Sequence, residues 1–185
     1  MADNMRYVET FYGYYTSDWV EDYGSGAFSN NHYVLEKNYI STGCITVETS
    51  TATTAHKFLY PHNIEKVYFI EGVIGGHITV AASTATSTVT NYRVSLCKVD
   101  NAGNETELFT TGTITVGRNL SWDSTYSIGE EVVLPFWIDA WEKATLTENE
   151  KIYLLVEVSG SNTLVLWHSN DSTWEDLKID IPFRM

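Results

Sequence analysis

Basic side chains are scarce here: 11 Lys and Arg stand against 24 Asp and Glu in 185 residues, a formal net charge of -13. Affinity for nucleic acid comes mainly from Lys and Arg neutralising phosphates, so no nucleic-acid partner is expected. The same deficit argues against docking on an anionic membrane surface. Long hydrophobic runs are missing as well. The longest, Val132 to Ile138, contains Pro135 and falls far short of the roughly 18 apolar residues of a membrane span. Met1-Ala2-Asp3-Asn4-Met5-Arg6 shows no basic patch leading into an apolar stretch, so no secretory signal is read and folding in a cytoplasm is expected. Cysteine is limited to Cys44 and Cys97, each inside an apolar alternating segment. Whether the two are bonded stays open; two buried thiols are the preferred reading, and the lack of a CxxC pair argues against structural zinc.

What is present is apolar and aromatic. Hydrophobic residues make up 43% and aromatic residues 14%, which excludes intrinsic disorder despite the charge. The length suits one domain and buries roughly 70% of the extended-chain surface, enough for a core without metal or disulfide.

The first thirty residues differ from the rest. Tyr7, Phe11, Tyr12, Tyr14, Tyr15, Trp19, Tyr23 and Phe28 alternate with Gly, Ser, Thr and acids, and good helix formers are almost absent. So many rings must be covered, either by the domain's own flank or by a neighbouring subunit. The expectation is an extended arm over residues 1–30, its rings forming an inter-subunit contact, followed by a single domain over 31–185.

From residue 33 the signal is strand after strand. Tyr33–Ile40, Cys44–Thr49, Lys66–Ile70, His77–Ala81, Tyr92–Cys97, Glu107–Phe109, Thr113–Val116, Val132–Ile138, Lys151–Val158, Thr163–His168 and Leu177–Phe183 have strand composition or alternation. Asp100-Asn101-Ala102-Gly103-Asn104 supplies hairpin chemistry. Pro135 cannot donate to a ladder, so its strand is expected at an edge or bulged. Residues 140–150 alone hold helical side chains, enough for a turn or two. The fold class read from this is all-β: an antiparallel, jelly-roll-like sandwich of nine to eleven strands.

Chemistry is sparse. There is no G-x-S-x-G elbow, P-loop or dinucleotide fingerprint. Carboxylate pairs such as Glu65 with Glu71, or Glu48 with Glu157, are explained by exposed strand faces. His56 and His62 match no zinc spacing, and Asp100–Glu105 lacks the alternating acids of an EF-hand. No cofactor or metal is expected. Trp122 beside Asp123, Trp167 beside His168, and Trp174 beside Glu175 have the composition of a sugar-stacking surface, against the plainer reading of packing at the rim of a sandwich.

Residues 88–107, with Lys98-Val99-Asp100, a Gly turn and Glu105-Thr106-Glu107, resemble the hairpins of small virion proteins of tailed viruses of bacteria and archaea. Pro135–Ala140, then Leu146 and Glu150–Val158, are similar to the closing part of such jelly rolls. The resemblance, over about residues 65–160, implies a non-enzymatic capsid accessory, decoration or tail-associated protein. It would be located in the virion, and its partners would be copies of itself and other virion proteins. The alternative is a carbohydrate-binding or host-adhesion module whose partner is a glycan.

Overall fold

The computed structural model describes residues 6–15, 33–37, 47–49, 54–82, 85–126, 128–161, 164–167 and 177–184. All regular structure among them is β: β1 (Arg6–Tyr15), β2 (Tyr33–Glu36), β3 (Val47–Thr49), β4 (Thr54–Leu59), β5 (Tyr68–Ala82), β6 (Ser87–Val99), β7 (Glu105–Thr110), β8 (Ile114–Leu120), β9 (Trp122–Asp123), β10 (Ile128–Gly129), β11 (Glu131–Leu146), β12 (Lys151–Ser161), β13 (Leu164–Trp167) and β14 (Leu177–Arg184). Twelve of these strands share one sheet in the order β3-β13-β5-β14-β1-β2-β4-β12-β6-β7, with β11 on the far edge of β5 and β8 beside β6. Every pairing is antiparallel except the single β2–β4 bridge at Val34 and Leu59. The sheet curls until its ends, β11 and β7, approach each other, giving a nearly closed barrel-like shape.

The alternation read in the sequence places the core. Along β11, Val132, Leu134, Phe136, Ile138 and Ala140 are buried while the residues between them are exposed. In β14, Leu177, Ile179, Ile181 and Phe183 point inward. These meet Val94, Leu96, Leu154 and Val156 from β6 and β12 in one continuous core. Each such side chain contributes about 1.5–3 kcal/mol by leaving water. As expected for a strand carrying Pro135, β11 is paired on one side alone among the described residues, by β5.

Three local expectations are corrected. Residues 140–150 hold no helical turn, because β11 continues to Leu146 across a bulge between Ala140 and Ala144, and Asn149 at φ 69° turns the chain into β12. The strands read separately at Lys66–Ile70 and His77–Ala81 belong to one, the 15-residue β5 (Tyr68–Ala82), with Gly75-Gly76 in its interior. Gly76 serves a close approach: a Cβ there would lie 2.1 Å from the Lys178 carbonyl oxygen of the neighbouring β14. The third concerns the arm. Over Arg6–Tyr15 it is a sheet strand, flanked by β14 on one edge and by β2 on the other. Phe11 and Tyr14 are buried at 1% and 3% exposure, and Tyr7 and Tyr12 pack against the two core clusters. Their rings are thus covered by the chain's own sheet, because pleat alternation turns Tyr7, Glu9 and Phe11 to one face. The Tyr15 side chain and Trp19, Tyr23 and Phe28 lie outside what is described.

Candidate functional site

That face of β1 builds a cleft. Tyr7, Glu9 and Phe11 form one wall, and Phe183 of β14 stands behind Tyr7, opposite it in register. Among the described residues β2 pairs with β1 from Tyr12 onward, where Tyr12 is opposite Glu36. The next residue, Lys37, is off the ladder and its side chain reaches Glu9 of β1. The other wall is the connection between β4 and β5, carrying Tyr60, His62, Asn63 and Glu65, with Tyr68 at the start of β5. Backbone bonds fix that connection: Tyr60 N–H donates to the Ile152 carbonyl at 2.9 Å, Ile64 N–H to the Glu150 carbonyl at 2.9 Å, and Asn149 N–H to the Ile64 carbonyl at 2.9 Å. The cleft volume is about 280 Å³, just below the roughly 300–1,000 Å³ of ligand pockets.

Rings line most of it. Tyr7 stacks on Phe183 at 5.7 Å between centroids and meets Tyr68 edge-on at 6.4 Å. Phe11 meets Tyr60 edge-on at 5.3 Å, and Tyr60 meets His62 at 5.1 Å. The charged centre is Lys37, whose Nζ donates to Glu9 Oε1 at 2.8 Å and lies 2.7 Å from Oε2. The same ammonium lies 5.9 Å from the Phe11 centroid and 5.6 Å from that of Tyr60. Partial burial pulls the Lys37 pKa down, but the hydrogen bond to Glu9 and the charges of Tyr60 and Glu9 outweigh it and leave the ammonium favoured. Burial, and the neighbours Tyr68 and Glu9, push the Tyr7 phenol up, so it stays protonated and able to donate. Tyr60 is likewise raised by burial, against the opposing pull of Lys37. The cleft thus holds an ammonium, carboxylates, phenols and an imidazole among apolar rings, with no serine, threonine or cysteine on its described lining.

The sequence had not brought these residues together. Glu9 was one of the acids between rings, His62 a loop histidine, and Lys37 an interior residue of a longer strand. Their signal was the odd-numbered face of β1, which needs the β1–β14–β5 order to mean anything. Of the residues that the sequence singled out, Tyr7, Phe11, His62 and Glu65 line the cleft, while the tryptophans, His56 and Cys97 do not. Trp122 is half-buried in the β9–β10 ribbon, where a Cβ on Gly129 would lie 3.3 Å from its ring. Trp167 lies in β13, its side chain outside what is described, as is all of Trp174. Among the described residues the exposed indoles are Trp137 and Trp141 on the outer face of β11. His56, at 7% exposure, packs edge-on to Tyr33 at 5.4 Å, and its Nε2 has no hydrogen-bond partner among the described residues; burial lowers its pKa to about 4. Burial, despite a hydrogen bond with Tyr153, pushes the Cys97 thiol up to about 11. It is therefore unsuited to nucleophilic attack. Cys44 is outside the described residues. Among those residues no three His, Cys, Asp or Glu side chains are grouped to hold a metal ion. The Asp100 loop is a hairpin turn whose Asp100 Oδ1 accepts from the backbone N–H of Ala102 at 2.9 Å and Asn104 at 2.8 Å.

No protein-family profile matches the sequence, and no curated protein matches it. Solved structures do share the fold. A CocE/NonD family hydrolase from Staphylococcus aureus superposes with a TM-score of 0.60 at 12% identity over 99% of this chain, and a second structure of such a hydrolase from that organism gives 0.58 at 11% identity over 96%. An aminopeptidase from a marine sediment Thaumarchaeota archaeon gives 0.54 at 9% identity over 97%. This chain spans 37% of the length of each of those proteins. At such identities the likeness is one of fold. The virus-particle structures that match, from infectious bursal disease virus, do so at TM-scores of 0.26 and 0.24, too low to carry an argument. Of the virion resemblance only the all-β fold stands. The expectation of a non-enzymatic capsid or decoration protein is corrected, since the structures that share this fold over almost the whole chain are hydrolytic enzymes.

Proposed function

We propose that this chain is the β-sandwich part of a hydrolase, and that the cleft between β1, Lys37 and the β4–β5 connection holds one end of the substrate. The observation that supports this most is the fold likeness, over 96–99% of the chain, to three structures of hydrolytic enzymes. The cleft adds to it. Small, ring-lined and furnished with a few polar groups, it has the make-up of a binding site for an acyl or amino-acyl moiety. Its aromatic walls take up apolar surface, while the Tyr7 phenol, the Glu9–Lys37 pair and His62 offer donors and acceptors for orientation. Without a serine, threonine or cysteine on its described lining, it serves for substrate holding. In this proposal the attacking group comes from a unit equivalent to the part of those longer enzymes that this chain does not span.

The test is a panel of p-nitrophenyl acetate, p-nitrophenyl butyrate and phenylalanine p-nitroanilide, followed by absorbance for turnover and by saturation-transfer NMR for binding. Binding of at least one compound is expected, weakened about tenfold by Tyr60→Ala, roughly the loss of one aromatic contact and its buried area. Absence of both turnover and binding across the panel would overturn the proposal.

A further inference from the structure

The cation in the cleft belongs to the chain itself. A carboxylate within 2.8 Å and two aromatic rings within 5.9 Å surround a primary ammonium at Lys37 Nζ. That combination is a receptor for an ammonium group, since the carboxylate supplies charge-assisted acceptors and the rings their negative faces. Resting on the hydrolase reading of this same cleft, we infer that the seat formed by Glu9, Phe11 and Tyr60 recognises the free primary ammonium of an amino-acyl substrate, with Lys37 filling it as an internal stand-in that the substrate displaces.

Three features support displacement. Lys37 is the first residue beyond β2, off the ladder, and its side chain is 43% exposed. Releasing such an exposed ion pair to water costs little. Beside the seat, the cluster of Tyr7, Tyr68 and Phe183 forms an apolar wall where the side chain of an amino acid would lie. Finally, the net charge of -13 and Glu65 on the lining favour the approach of a cation over an anion. A compact ammonium, as opposed to a planar guanidinium, is what the seat already holds.

The experiment titrates phenylalaninamide and N-acetyl-phenylalaninamide into the native chain, into Lys37→Met, and into Lys37→Met combined with Glu9→Gln. Circular dichroism melts check that each variant folds. Lys37→Met is expected to bind phenylalaninamide about tenfold tighter than the native chain, the scale of one competing cation–π and ion-pair contact. The acetylated probe gains nothing, and Glu9→Gln cancels the gain. Equal binding of the two probes by Lys37→Met, or no gain over the native chain, would overturn the inference. Should Lys37→Met fail to fold, the native chain decides: a preference for the free amine supports the seat, and equal binding overturns it. p-Nitrophenyl butyrate carries no amine, so its binding reports separately on the hydrolase reading.

Discussion

At the residue scale, His56 is a buried imidazole whose Nε2 has no hydrogen-bond partner among the described residues, and burial holds its pKa at about 4. The unfolded chain takes up the proton near pH 6.5 and the folded chain only near 4, so stability is full above 6.5 and is lost as pH falls through that window. Between pH 7 and pH 5 the loss expected from this one group is about 2 kcal/mol. Urea midpoints at the two pH values measure it, and His56→Phe should remove most of the difference. The lowered carboxylates of Glu71, Asp100, Glu130 and Glu150 act further down, below their ordinary values, so they do not blur that interval. A second residue-scale test uses neighbours. Gly76→Ala drives a Cβ into the Lys178 carbonyl, whereas at Gly75 a Cβ meets nothing within 4 Å. Thermal melts should show Gly76→Ala destabilised by about 3 kcal/mol and Gly75→Ala within about 0.5 kcal/mol of the native chain. In the sequence the two glycines read alike, because the difference lies in β14, a hundred residues away.

At the element scale, alternation made most strands legible: β6, β11, β12 and β14 lie where period-two patterning put them. Three places escaped it. The acids and Lys of residues 140–150 read as a short helix, yet antiparallel pairing with β5 resumes at Ala144 after the bulge and overrides that local preference. His56 and Phe58 alternate inward against Ala55 and Lys57 outward, but β4 is only six residues long and gave too short a pattern. The aromatic segment before residue 16 read as an arm because its rings fall on both faces. Both faces are in fact covered, Phe11 on the main core and Tyr14 on the second cluster. It follows that β1 is required by the fold. Deletion of residues 6–15 should abolish the cooperative melt; a truncated chain that melts cooperatively near the native temperature would show that β14 and β2 pair without it.

At the scale of the whole molecule, the fold class was legible while its use was not. Turn spacing and alternation suffice for all-β, but the cleft depends on β1 running between β14 and β2, and on Lys37 stepping off the ladder opposite it. Glu9, Lys37, Tyr60 and Phe183 are far apart in the chain, and their types are ordinary, so no local motif could announce them. The acidic balance, which excluded nucleic acid at the outset, suits a cleft that takes a cationic group. The reading as part of a hydrolase stands or falls on where a substrate sits. The most direct measurement is amide chemical-shift mapping of the native chain during titration with phenylalanine p-nitroanilide. Shifts are expected to concentrate at residues 7–11, 37, 60–65, 68 and 183. Shifts confined to the outer face around Trp137 and Trp141, or none at saturating compound, would contradict it.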